Sequence, residues 1–139
     1  MRRVGWMLMP LILVAFSPPT VAVAEVLGHN DRAVVRLADP VLDNMFAGMA
    51  NLDYQAFVRD FDATMKKQVD EQEFQKLVTY SAERYGAYQR RALLGFLNKQ
   101  GTTTVLWKTR FSGTEDDVLV TLVLYKKGDR IEVTGFWVD

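Results

Sequence analysis

The chain has 139 residues, with 17 basic and 17 acidic side chains, 49% hydrophobic residues and no cysteine. This length fits one ordinary domain, and the balanced charge argues against a nucleic acid or an anionic membrane surface as the partner. Without cysteine the chain has neither a disulfide nor a thiol that could carry a lipid, so its stability must come from a packed core.

The first 24 residues have the pattern of a signal peptide. Arg2 and Arg3 precede an uncharged run over 4–16, and small residues lead up to Ala24. This order of basic start, apolar run and small-residue exit predicts cleavage after Ala24 and export to the periplasm or the medium, with no membrane contact afterwards. An uncleaved anchor is the alternative, although the run is short for a bilayer and Pro10 interrupts it.

Residues 25–38 show no sustained periodicity. They contain the breaker cluster 28–31, which predicts a tail or a short edge strand. The ordered domain is then expected over 39–139. It would begin at a helix that Asp39 can cap and whose first turn accepts Pro40.

Three helices are predicted in the first half of this domain. The first runs from Pro40 to about Met49, and the second starts near Asp53 and carries an apolar stripe at i, i+4 and i+8. The third has the clearest start, because Asp70 is followed three residues later by Glu73 in a capping-box arrangement.

After Gly86 the hydrophobic period changes from about 3.6 to 2, which indicates strands. Short turn-rich connections between them suit antiparallel hairpins. Four strands are predicted, over 88–97, 103–111, 117–126 and 130–138. The fold class is therefore α+β, with three N-terminal helices packed on a curved four-stranded antiparallel sheet.

The last hairpin predicts which side chains face the helices. A turn of two or four residues would bring together on the inner face Val118, Val120, Leu122, Leu124, Ile131, Val133, Gly135 and Trp137. The outer face would then carry Leu119, Thr121, Val123, Tyr125, Glu132, Thr134, Phe136 and Val138. A turn of odd length would exchange the two sets across the hairpin.

Helices followed by a curled sheet that ends on a Gly-aromatic strand resemble the nuclear transport factor-like superfamily, the cystatin-like cone folds. Bacterial secreted domains of unknown function are the members that look most similar. The similarity covers about residues 40–138 and rests on "NLDYQAFVRDFDATMKK", "WKTRFSG" and "VLVTLVLYKKGDRIEVTGFWV". It implies a scaffold that carries both binding modules and enzymes, so the function has to be argued from the site.

Enzymes of that superfamily place an Asp or His, often with a Tyr, inside the cone for proton transfer. Asp62 matches the pattern and is the catalytic candidate, while a polar position beside the helical stripe is the simpler interpretation. The single histidine, His29, lies in the breaker cluster, and one histidine without cysteine does not build a metal site. No metal and no cofactor are predicted.

The sequence predicts a pocket for a small apolar ligand, with an ordinary aromatic core as the alternative. Its candidate lining residues are Tyr54, Phe57, Phe61, Met65, Trp107 and Trp137. The mixed outer face predicts a homodimer through Val123, Tyr125 and Phe136. The predicted function is an exported, non-catalytic binding or interaction module. The alternative is a small isomerase-like or dehydratase-like enzyme, which needs an unpaired carboxylate or histidine in the cavity.

Overall fold

The computed structural model describes residues 17–19 and 21–139. Most of the predicted signal peptide, residues 1–16 and 20, lies outside the described residues. Among the described residues, no helix combines the length and the hydrophobicity that crossing a bilayer needs. Helices followed by a curled antiparallel sheet, a half-barrel, confirm the predicted α+β class.

The described part of the chain forms four helices and five strands. In chain order they are β1 (Ala24–Glu25), α1 (Asp31–Ala50), α2 (Tyr54–Val58), α3 (Ala63–Gln68), α4 (Glu71–Tyr85), β2 (Tyr88–Lys99), β3 (Thr102–Phe111), β4 (Val118–Lys127) and β5 (Arg130–Val138). The strand order is β1-β4-β3-β2, and β5 also pairs with β4. The predicted strand bounds agree with β2 to β5 to within two residues, because the short turns between them are local signals.

The first helix begins earlier than predicted. Asn30 caps it by accepting a backbone hydrogen bond in the first turn at 2.9 Å, and α1 starts at Asp31. Val34 and Ala38 extend its buried stripe, so Pro40 lies inside the helix and not in its first turn. The predicted tail is therefore wrong over its last eight residues. Residues that looked like breakers act as a helix cap.

The predicted second helix is interrupted between Val58 and Ala63. Phe61 leaves the helix and forms a parallel bridge with Val133 of β5. The Asp62 N–H donates to the Val133 carbonyl at 2.8 Å, and the Val133 N–H donates to the Asp60 carbonyl at 2.7 Å. The apolar stripe is still buried, but it belongs to two short helices and a link that is paired with the sheet.

A β-bulge changes the alternation in β5. Val123 pairs with Gly135, whereas Leu124 pairs with Val133, so Thr134 is an extra residue on β5. An extra residue reverses which face every later side chain occupies.

The inner and outer assignments at the end of β5 were therefore wrong. Phe136 and Val138 face the helices, and Trp137 lies on the outer face with 54% of its surface exposed. The Trp137 ring lies so close over Gly135 that a Cβ there would overlap it. The bulge thus depends on a glycine that leaves room for the aromatic ring.

Candidate functional site

Helix α4 is held firmly at its N-terminal end. Asp70 caps it by accepting the Glu73 N–H at 2.9 Å, as predicted. Phe74 is fully buried and its ring centroid lies 5.0 Å from that of Phe57. Just before the helix, the Tyr54 hydroxyl donates to the Val69 carbonyl at 2.7 Å.

The C-terminal end of α4 has a second anchor. Tyr85 is buried, and its ring centroid lies 5.6 Å from that of Phe111. Its hydroxyl donates to the Val138 carbonyl at 3.4 Å, and its carbonyl accepts the Gly113 N–H at 2.8 Å. The helix ends at Gly86, whose φ of +80° favours glycine.

An apolar cavity of about 260 Å³ lies on one side of α4, between the two anchors. It is bounded by α2, α3 and β5 and is partly open to solvent. Its lining residues are Phe57, Phe61, Met65, Gln68, Val69, Glu73, Leu77, Tyr80, Ser81, Tyr85, Phe136 and Val138. We call it the inner cavity.

A groove of about 710 Å³ lies on the other side of α4, towards the C-terminal half of α1 and the start of β2. Its floor is aromatic, because Phe46 stacks on Tyr88 with the ring centroids 4.3 Å apart and Phe111 lies at the edge of both rings. The other lining residues are Asp43, Ala47, Met49, Ala50, Leu52, Val78, Ser81, Ala82, Gly86 and Ala87. We call it the outer groove.

Ser81 lines both spaces and is only 6% exposed. Leu77, which lines the inner cavity, and Val78, which lines the outer groove, are half-buried. The middle of α4 therefore packs on the core only in part and borders apolar space on both sides. A small hydroxyl at a buried helical position leaves that space open, whereas a larger apolar side chain would fill it.

A cation lies against the tyrosines at the C-terminal end of the inner cavity. The Arg84 guanidinium carbon is 5.9 Å from the ring centroid of Tyr80 and 5.5 Å from that of Tyr85. Its Nε donates to the Tyr85 hydroxyl at 3.1 Å, and this hydrogen bond together with Tyr80 raises the pKa of Arg84. Arg84 is thus held in place by two aromatic side chains that line the cavity.

Three of the predicted pocket residues, Phe57, Phe61 and Met65, line the inner cavity. Tyr54 lies behind them, with its ring centroid 5.7 Å from that of Phe74. The tryptophans line neither space, because Trp107 is fully buried in the core and Trp137 lies on the opposite face of the sheet.

Sequence reasoning missed the contribution of α4 and of the end of β5. Leu77, Ser81 and Tyr85 stand at i, i+4 and i+8 and could have indicated an inward face, but serine interrupts the apolar pattern. Phe136 was missed because its orientation depends on the bulge.

Asp62 takes part in a polar cluster at the outer face of the sheet and lines neither space. Its Oδ1 accepts the Met65 N–H at 2.8 Å and so caps α3, and its Oδ2 lies 3.5 Å from the Tyr125 hydroxyl. That hydroxyl donates to Glu132 Oε2 at 2.7 Å, and Arg130 lies 3.4 Å from the other Glu132 oxygen. Burial and the neighbouring Glu132 carboxylate raise the pKa of Tyr125 strongly.

A second charged cluster ties α1 to β2. The Arg91 guanidinium lies 2.8 Å from the Asp43 carboxylate and 3.0 Å from that of Asp39. It also stands over the rings of Tyr88 and Trp107, at 6.0 and 5.9 Å. Burial alone would lower the pKa of Arg91, but its hydrogen bonds with the two carboxylates outweigh that effect and raise it.

No group of three or more His, Cys, Asp or Glu side chains suited to a metal ion occurs among residues 17–19 and 21–139.

The outer face of the sheet carries Val123 and Tyr125, as predicted, but not Phe136. The Phe136 ring instead lies 6.5 Å from that of Phe46 and 6.1 Å from that of Phe57, inside the domain. Trp137 takes its place on the outer face. Leu97, 64% exposed, and Leu119 add to the apolar surface there.

The chain matches no family model, no curated protein and no solved structure. Helices on a curled half-barrel are compatible with a cone-like fold.

Proposed function

We propose that the protein is an exported, non-catalytic binding module on a nuclear transport factor-like scaffold, and that it holds a small apolar ligand beside and under α4. One observation carries this proposal. A helix anchored by Phe74 and Tyr85 borders apolar space on both sides of the buried Ser81.

The physical reason is the free-energy cost of leaving the apolar surface of these spaces in contact with water. Each Å² of apolar surface removed from water contributes about 25 cal/mol, so a ligand that covers the aromatic floor of the outer groove gains affinity from burial alone. Concave, mainly apolar sites with a few polar groups are typical of small-molecule binding. Here the Ser81 and Tyr85 hydroxyls are such groups.

The test uses a neutral fluorescent probe, N-phenyl-1-naphthylamine, and two phenylalanine variants of α4. Ser81→Phe places a ring at the wall between the two spaces, whereas Thr79→Phe places one on the exposed side of the same helix. We expect the unaltered protein and Thr79→Phe to bind the probe with similar affinity, and Ser81→Phe to bind at least about tenfold more weakly. Circular dichroism controls for the fold.

Absence of saturable binding to the unaltered protein would overturn the proposal. Equal binding by Ser81→Phe and Thr79→Phe would also overturn it, because the probe would then sit elsewhere.

Export is part of the proposal and rests on the signal-peptide pattern of residues 1–24. The intact mass of protein recovered from the exported fraction is expected to correspond to a chain that starts at Glu25. A recovered chain that still carries residues 1–24 would instead indicate an anchored protein.

Proton transfer, the alternative function, receives less support from the geometry. Asp62 caps α3 and meets Tyr125, and it faces neither the inner cavity nor the outer groove. Asparagine caps helices as well as aspartate does, so Asp62→Asn is expected to keep the fold and to leave probe binding unchanged. A loss of turnover in Asp62→Asn, for any substrate that the protein is found to convert, would favour the enzyme.

We further propose a homodimer through the outer face of the sheet. Trp137, Leu97 and Leu119 expose apolar surface there, beside Val123 and Tyr125. Strand spacing and rise give this face an area on the order of 600 Å². Standard interfaces bury about 800 Å² on each partner, so the face suffices for a modest dimer with a second copy.

The dimer is tested by sedimentation at tens of micromolar. Trp137→Glu combined with Val123→Lys is expected to give a folded monomer, because both side chains lie on the outer face. Asp129→Lys, in the turn between β4 and β5, is the control and should remain dimeric. A monomer for the unaltered protein would contradict the proposal without any variant.

A further inference from the structure

The two spaces beside α4 favour a thin and flexible ligand. They lie on opposite sides of the helix and share Ser81 as a common wall. Between the anchors Phe74 and Tyr85 the helix spans roughly 16 Å. Ser81 is only 6% exposed and separates the two spaces, so a ligand lies along one side of the helix, where an unbranched aliphatic chain fits more easily than a rigid ring system.

The charges at the two ends of the inner cavity differ. At one end, the Glu73 carboxylate is paired with Lys76 at 3.1 Å. At the other end, Arg84 lies over Tyr80 and Tyr85 and makes no ion pair with a carboxylate in the part of the chain that the structure describes.

The C-terminal dipole of α4 explains a cation in its last turn. It does not explain why the guanidinium is held against two rings that line a cavity. A guanidinium fixed on aromatic rings is pre-organised to form paired hydrogen bonds with a carboxylate, sulfate or phosphate group. Asp139 is the acidic residue that follows Val138 at this end of the cavity. Its backbone N–H and carbonyl are hydrogen-bonded to the backbone of Leu119.

We infer that the ligand is a single-chain amphiphile with an anionic head group. The head group binds Arg84 and the tyrosine hydroxyls, and the aliphatic chain lies in the inner cavity along α4. This inference rests on the proposed function, since it names the ligand of the same site.

The experiment compares three competitors with the same twelve-carbon chain: laurate, dodecanol and dodecyltrimethylammonium. Each displaces N-phenyl-1-naphthylamine from the full mature protein below its micelle-forming concentration. We expect laurate to compete at concentrations about tenfold lower than dodecanol, the effect of one charge-assisted contact, and the cation to compete most weakly.

Variants of α4 assign the head group to one side chain. Arg84→Gln is expected to weaken laurate about tenfold and to leave dodecanol unchanged, because only the charged contact is lost. Arg84→Lys keeps the charge and should keep most of the preference for laurate. Lys99→Gln removes an exposed cation from β2 that lines neither space, and it is the control.

The outcomes separate this inference from the proposed function. If the probe does not bind, the proposed function is wrong. If the probe binds but the three competitors are equivalent, or Arg84→Gln weakens laurate and dodecanol alike, the apolar site stands and the anionic head group is wrong.

Discussion

The two long helices, α1 and α4, pack on the same side of the sheet in different ways. Helix α1 is buried along its whole length, at Val34, Ala38, Val41, Leu42, Met45, Phe46 and Gly48. Helix α4 has a similar amphipathic pattern but is buried only at Phe74, Ser81 and Tyr85. The first helix builds the core, and the second covers space beside it.

The ties of the two helices to the rest of the domain differ as well. Arg91 holds α1 to β2 through two ion pairs. Helix α4 is held at its ends by hydrogen bonds between uncharged groups, one from Tyr54 and two that involve Tyr85. Stability is therefore concentrated in α1 and the sheet, while the segment with fewer apolar contacts forms the candidate binding site, as is common for elements that admit ligands.

The sharpest test of this comparison truncates one leucine in each helix. Leu42→Ala should lower the free energy of unfolding by about 2 to 5 kcal/mol, because Leu42 is fully buried. Leu77→Ala should cost only about 1 kcal/mol, because a half-buried side chain beside a cavity loses few contacts. Urea unfolding at neutral pH measures both. Equal losses would show that α4 is packed as tightly as α1.

The ion pairs of α1 provide the next largest effect. Arg91→Gln should cost about 1.5 to 3 kcal/mol, the range for hydrogen bonds to charged groups. Arg90→Gln is the matched control, since the neighbouring side chain is exposed on the other face of β2. Chemical denaturation measures the free energy of unfolding of the two variants. Similar values would mean that the Arg91 cluster makes no net contribution to stability.

The hydrogen bond at the start of α4 should contribute less. Tyr54→Phe removes the donor to the Val69 carbonyl and is expected to cost about 1 kcal/mol. Amide hydrogen exchange should rise in α4 and remain unchanged in α1. Faster exchange spread evenly over both helices would contradict separate anchoring.

The smallest effect concerns the tie between α3 and the sheet, and it depends on pH. The pKa of Tyr125 is raised in the folded protein, so at pH above about 10 the phenol ionises first in the unfolded chain. The stability that this raised pKa provides is present below pH 10 and is lost as the pH rises further. Urea unfolding between pH 9 and 11 should fall less steeply for Tyr125→Phe than for the unaltered protein. If the stability of both proteins fell equally between pH 9 and 11, the pKa of Tyr125 would not be raised by folding.

Local signals in the sequence predicted much of the fold. The Asp70 cap, the period change after Gly86 and the turns between the strands are short-range features, and the structure contains each of them. The start of α1 was missed although its signal is also local, because Asn30 and Asp31 can begin a helix as readily as they end one.

The candidate site was only partly predictable. The stripe at Phe57, Phe61 and Met65 pointed to one wall of the inner cavity. The other walls needed α4 and the end of β5, where the stripe through Ser81 was interrupted and the alternation at Phe136 was reversed. A cavity is a property of how elements meet, and single-chain periodicity carries no information about unfilled volume.

The sequence alone determined that helices precede the main strands, the α+β class and most strand bounds, because hydrophobic period, caps and turn residues act over a few neighbouring residues. The tertiary structure decided where Phe61 leaves its helix, which face Trp137 occupies and how closely α4 approaches the core. Those three features depend on the pairing of Phe61 with Val133, 72 residues apart, on the bulge at Thr134 and on anchors at both ends of α4. Each depends on contacts between separate elements, and these contacts form only when the chain folds.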